Sequence, residues 1–151
     1  MRARINQPAM VIPAAMKALM ALGESAKESG VPARTLDLVH LRTSQINGCS
    51  GCLFMHAKAS KQNGESDERE FFVAAWRDTT FFTDAERAAL ALTEAVTRVA
   101  DRADPVPDHV WDEAAAHYDE SQLSALLIAI ATTNVWNRLN VATRQIVGPQ
   151  T

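Results

Sequence analysis

Ile46-Asn47-Gly48-Cys49-Ser50-Gly51-Cys52-Leu53-Phe54-Met55-His56 carries a helix stop, a helix start and both cysteines of the chain. Asn-Gly ends the apolar repeat that precedes it, since both residues accept the left-handed backbone that closes a helix. A new helix opens at Cys49 or Ser50 and runs to Asn63, where Gly64 supplies the next stop. Upstream, Pro32 opens a helix that carries Leu36, Val39 and Leu41 toward Ile46.

The same alternation of helix and break extends in both directions. A first helix is expected from about Ile12 to Ser29, with Pro13 in its first turn and Gly30 as its stop. Beyond Gly64, Ser66 caps a fourth helix with Asp67 and Glu68 in its first turn and Phe71, Phe72, Ala75 and Trp76 as its apolar side. Thr83 to Glu86 fits a capping box ahead of Leu90, Leu92, Ala95, Val96 and Val99, on a helix ending near Asp101. After Asp104-Pro105-Val106-Pro107, a sixth helix starts near Pro107 or Asp108 and ends around Tyr118, and a seventh runs from about Glu120 to Gln145. Alternating β-branched runs are almost absent, so the expected fold is all-α, with about seven helices in a single domain over residues 1–151.

The last helix places Leu123, Leu126, Leu127, Ile128, Ile130, Val135 and Trp136 on more than one face, and it must be covered on most sides. Assembly as a homo-oligomer would cover it; a central place in a monomeric bundle is the alternative.

With 47% hydrophobic and 22% charged residues, the composition is that of a globular protein and excludes a disordered or fibrous chain. A net charge of -3 offers no basic footprint, so neither nucleic acid nor a membrane surface is an expected partner. The apolar stretch Ala9 to Met16 is broken by Pro13 and followed by Lys17, which makes a poor signal peptide and points to the cytoplasm. In a reducing compartment, a close cysteine pair reads as catalytic or metal-binding before it reads as a structural disulfide.

Both thiols fall in the first turn of their helix, where unpaired N–H groups and the positive dipole end favour the thiolate. Moving a thiol pKa from ~8.5 to ~6.5 requires about 2.7 kcal/mol, whereas a helix end gives roughly 0.3–1 kcal/mol and about 2 at best. A second contributor is needed. His56 lies four residues after Cys52 on the same face, where it could take the thiol proton or pair with the thiolate. A vicinal pair also has a resolving step built in, because the second sulfur can close on a sulfenic acid or mixed disulfide formed at the first. Cys52 is favoured as the attacking thiol, with Cys49 resolving and exposed to the reductant; the reverse order stays open.

The stretch from Leu38-Val39-His40-Leu41-Arg42 through His56 resembles the core motif of the alkylhydroperoxidase D-like proteins of the carboxymuconolactone decarboxylase family. Ala74-Ala75-Trp76-Arg77, the segment from Phe82-Thr83-Asp84 to Ala91, and Asn134-Val135-Trp136-Asn137-Arg138-Leu139 resemble that family's later helices. The resemblance implies an all-helical fold, assembly as trimers or hexamers, and no bound cofactor. It also implies hydroperoxide reduction by the cysteine pair, with electrons from a dithiol such as a lipoyl group or a thioredoxin-like protein. Members that decarboxylate lactones lack the pair. In the redox members a proton relay joins the two cysteines, the later histidine and a glutamate twelve residues before the first cysteine; here Asp37 stands at that place. Catalytic roles therefore fall on Cys49, Cys52, His56 and Asp37. Aspartate is one methylene shorter, so its relay must close up or include a water. The peroxidase pattern also has a histidine immediately before the second cysteine, where this chain has Gly51, which points to a reduced or altered activity such as disulfide exchange or peroxide sensing.

Two other classes compete. Cys49, Cys52 and His56 with Asp37 or His40 could ligate zinc, although structural zinc usually draws on a second ligand pair from a separate segment. A non-catalytic helical module could use the cysteines as a redox switch. His40, one turn beyond Asp37, could assist the relay or act on it electrostatically, but reads first as a surface residue, as do His109 and His117; Trp76, Trp111 and Trp136 read as packing anchors.

Overall fold

The computed structural model describes residues 1–62, 64 and 66–148. Among these residues all regular structure is helical: α1 (Pro8–Val11), α2 (Pro13–Ser25), α3 (Ala33–Asn47), α4 (Ser50–Gln62), α5 (Asp67–Phe72), α6 (Asp84–Thr97), α7 (Asp108–His117) and α8 (Glu120–Thr143). The additional element is α1, a single turn capped by the Gln7 side chain and too short to carry an apolar period. The first long helix tightens into a 3-10 turn at Ala26–Ser29 before Gly30 stops it in the left-handed region. Helix α6 begins with the expected Thr83–Glu86 capping box but ends at Thr97, short of Asp101. The expected end of α4 at Asn63 lies outside the described residues, and Gly64 has the left-handed backbone of a helix stop.

Helix α8 is central. Its Leu126, Ala129 and Ile130 are enclosed with Leu36 and Val39 of α3, Ala89 and Leu92 of α6, and Ala114 of α7. The apolar faces that raised the question of self-association are thus largely covered from within the chain, and Leu127 and Ile128 are half-buried at the edge of that core. The opposite side of α3 packs Leu38 and Leu41 against Val73, Trp76, Phe82 and Leu90. Helix α3 is therefore gripped on two sides, and each fully enclosed leucine adds roughly 1.5–3 kcal/mol relative to an exposed one.

One sequence expectation for α5 fails. Phe71, assigned to the apolar side, is 78% exposed, and Phe72 is 38% exposed. The helix tightens into a 3-10 turn over Val73–Asp78, with Ala75 at φ -125° and ψ 35°, so the period shifts: Val73 turns inward, while Trp76 is buried as expected.

Trp76 then meets a charged hub. Glu94 Oε1 accepts from Trp76 Nε1 at 2.9 Å and from Arg42 Nε at 2.8 Å, while Oε2 accepts from Arg77 at 2.8 Å. Burial pushes the Glu94 carboxyl up, but hydrogen bonds from Trp76, Arg77 and Arg42 outweigh it and hold the group below the usual carboxylate range. This hub ties α3, the 3-10 turn and α6 together. No helix among the described residues is long and apolar enough to cross a membrane.

Glu94→Ala would leave Arg42 without its counter-charge and is expected to lower the unfolding free energy by about 3 kcal/mol, at the low end for a buried pair because both side chains keep some solvent contact. Urea denaturation is the check, and a loss under about 1 kcal/mol would show that the hub does not hold these elements.

Candidate active site

Gly48, at φ 66°, closes α3. The N–H of Cys49 reaches back to the Ser44 carbonyl at 3.0 Å, and the Cys49 carbonyl accepts the first bond of α4 from Leu53 N–H at 2.9 Å. Cys49 is thus the N-cap of α4, and its Sγ accepts from the Cys52 N–H at 3.3 Å, the place a serine or aspartate oxygen takes in an ordinary cap.

The two sulfurs are joined as a disulfide. Both are buried, with Cys49 1% and Cys52 4% exposed, so the expectation of an exposed Cys49 is corrected: the N-cap bond and the end of α8 enclose it. Cys49 instead lines a cleft of about 710 Å³ together with Gly48, Ser50, Asn140, Arg144 and Val147. Arg144 ends α8 with a left-handed backbone at φ 54°, unusual for a residue other than glycine.

A residue that local sequence reading does not find completes the sulfur environment. Asn140 of α8 directs its Nδ2 at Cys52 Sγ (3.3 Å) and Cys49 Sγ (3.8 Å). A Cβ placed on Gly51 would lie 4.0 Å from that nitrogen and 3.9 Å from Val147 Cγ1, so a side chain there would emerge against the amide. The available signal was a polar stripe, Asn134, Asn137 and Asn140 at steps of three along an apolar helix. The other two asparagines meet α3. Asn47 donates to Asn134 Oδ1 at 3.0 Å and to Asn137 Oδ1 at 2.9 Å, and Asn137 donates to Ser44 Oγ at 3.1 Å.

His56 lies one turn beyond Cys52 on α4 and is half-buried; among the described residues no hydrogen bond joins its ring to either sulfur. Its ring stacks on His40 of α3, with centroids 4.9 Å apart and planes at 26°. His40, expected at the surface, is therefore half-buried against the site, because α3 and α4 fold back on each other through the Gly48 turn. Burial, the neighbouring His56 and the Lys27 ammonium lower His40 to about 3, and burial lowers His56 to about 4. Both rings are neutral near pH 7, so His56 offers a free lone pair toward a thiol proton, although its lowered value makes it a weak base, and neither ring holds a standing positive charge beside the pair. Asp37 is half-buried on α3, one turn before His40. Among the described residues no three His, Cys, Asp or Glu side chains gather as candidate metal ligands with the cysteines joined as a disulfide.

Residues 13–95 match the model of the carboxymuconolactone decarboxylase family. The uncharacterized protein YdfG of Bacillus subtilis is 34% identical over 132 residues, covering 87% of this chain and 88% of its own. The chain belongs to the carboxymuconolactone decarboxylase family. A second family relative, the uncharacterized Escherichia coli protein YnjA, is 33% identical over 106 residues, covering 70% of this chain and 56% of its own. Among solved structures, Agrobacterium tumefaciens ATU0492, a protein of unknown function proposed to be the antioxidant defence protein AhpD, superposes with a TM-score of 0.90 at 35% identity, over 99% of this chain and 100% of its own. The debrominase Bmp8 shares the fold, with a TM-score of 0.79 at 20% identity over 90% of this chain and 72% of its own.

The histidine pair gives this family member a pH signature. In the unfolded chain both imidazoles titrate near 6.5, well above their folded values, so between about 6.5 and 4 unfolding takes up protons. The stability they contribute is present above about 6.5 and is lost as pH falls. The urea midpoint is expected to drop between about pH 7 and pH 4.5, and His40→Gln/His56→Gln to flatten that drop; an unchanged slope would place the acid sensitivity elsewhere.

Proposed function

We propose that this protein is a vicinal-dithiol oxidoreductase of the antioxidant type, which reduces hydroperoxides at Cys49 and Cys52 and is restored by an external dithiol. The observation that carries this reading is the bonded pair at the head of α4, with Cys49 among the residues that border a cleft. The family, with a relative proposed to act in antioxidant defence, supports it.

In the reducing half-reaction, a thiolate of the donor dithiol attacks Cys49 Sγ through the cleft. A mixed disulfide forms, the Cys49–Cys52 bond breaks and its electron pair passes to Cys52 Sγ. The donor's second thiol then displaces Cys49, so the donor leaves as a disulfide and the pair is left reduced. In the oxidising half-reaction, His56 takes the Cys52 proton and the thiolate attacks the outer oxygen of the hydroperoxide. The O–O bond breaks, the alkoxide departs as an alcohol with the proton from His56, and Cys52 becomes a sulfenic acid. Cys49 attacks that sulfur, water leaves and the disulfide is restored. Asp37, one turn before His40, serves as the acidic end of the proton path, and the stacked rings supply its middle.

A lipoyl group or a thioredoxin-like protein is the expected donor class. Assembly into trimers or hexamers fits the apolar Phe54 and Met55 left exposed on α4.

The burial of both sulfurs favours one rival, a redox switch that oxidises without turning over. Steady-state consumption of cumene hydroperoxide with dihydrolipoamide separates the two. Continuous consumption, reduced to background by Cys52→Ser and by Cys49→Ser, is the expected outcome. A protein that forms its disulfide once and then stops would establish the switch.

A further inference from the structure

The helix end alone does not account for an anionic sulfur, and a neutral His56 adds no standing charge. Among the described residues, the side-chain group that donates to both sulfurs is the Asn140 amide. We propose that Asn140 is a catalytic residue that stabilises the thiolate expelled from Cys52 when the disulfide is opened at Cys49, and that Gln7 positions it. This rests on the dithiol reading above and concerns the step in which the donor reduces the pair.

Geometry assigns the two sulfurs different tasks. Cys49, although 1% exposed, is among the residues that border the cleft and Cys52 is not, which makes Cys49 the sulfur a thiolate entering there would meet and Cys52 the leaving group. The Asn140 nitrogen lies closer to Cys52, at 3.3 Å against 3.8 Å. As the new sulfur–sulfur bond forms at Cys49, the electron pair of the old bond localises on Cys52 Sγ, and the amide N–H donates to it. A disulfide sulfur is a weak acceptor and a thiolate a strong one, so the bond strengthens as charge develops, which is the condition for lowering a barrier rather than merely binding. No proton moves at that instant; the donor's second thiol supplies the one that Cys52 or His56 later holds.

The amide must face the sulfurs with its nitrogen, since its carbonyl oxygen would repel a thiolate. Gln7 fixes that choice. Its Oε1 is engaged by the Met10 N–H at 3.1 Å as the cap of α1, which leaves Nε2 to donate to Asn140 Oδ1 at 3.4 Å. With its oxygen so engaged, Asn140 presents only N–H to the pair. The short first helix thereby acquires a purpose: it anchors the residue that orients the donor.

The test uses the full-length protein: the thiol pKa is read from the ultraviolet thiolate absorbance of its reduced form, and the rate of disulfide reduction by dithiothreitol is measured on its oxidised form. Asn140→Leu is expected to raise the lower thiol pKa by about one unit and to slow reduction roughly tenfold. Asn140→Asp keeps the shape but replaces the donor with a carboxylate, and should raise it further. Gln7→Leu should shift it in the same direction by less. A pKa and rate unchanged in both Asn140 variants would overturn the proposal, and if only the leucine variant failed to fold, the aspartate variant would decide. A shift in the Asn140 variants with none in Gln7→Leu would overturn the positioning role. Because no hydroperoxide is used, failure here is distinguishable from absence of peroxidase activity.

Discussion

A fully enclosed asparagine fixes the register on which the site depends. Asn137 is shut between α8 and α3, donating to Ser44 and accepting from Asn47. A buried amide left without partners costs about 1–3 kcal/mol per group, whereas an apolar pair at the same place would tolerate sliding. The seam therefore locks α8 against the last turn of α3 at one setting. Three residues farther along α8 comes Asn140, and one residue beyond Asn47 comes the glycine that turns the chain into the cysteine pair. The contact between amide and sulfur is thus inherited from the packing of two helices.

The Glu94 hub holds the opposite side of α3. Arg42 projects to Glu94 from the helix that presents Asp37 and His40, and the same carboxylate receives Trp76 and Arg77 from the 3-10 turn. Fragments that looked like separate stretches of family sequence, one around Trp76 and one around Trp136, turn out to grip the two sides of one helix. Rigid support on both flanks lets a short turn present reactive atoms in a defined direction.

Most helix boundaries could be read because their signals are local: the Thr83–Glu86 box, the Ser66 cap, and glycines at 30, 48 and 64. The cysteine pair and His56 were legible for the same reason, since spacing along one helix defines them. What escaped was decided by contacts across the chain. Asn140 lies 88 residues from Cys52, and the place of His40 depends on how α3 folds against α4. The outward place of Phe71 and the inward turn of Val73 follow from a change of helical period that composition does not encode.

The Cys49 sulfur caps a helix, and this couples oxidation state to backbone order. Within a disulfide that sulfur is a poor acceptor, so the first turn of α4 is weakly closed at one of its orphan N–H groups; as a free thiolate it would close that turn firmly. Opening the bond is thus partly compensated by a tighter helix start. Conversely, any ligand or neighbour that frays this turn would push the pair back toward its oxidised form, making the head of α4 a thermodynamic lever on the electron affinity of the sulfurs.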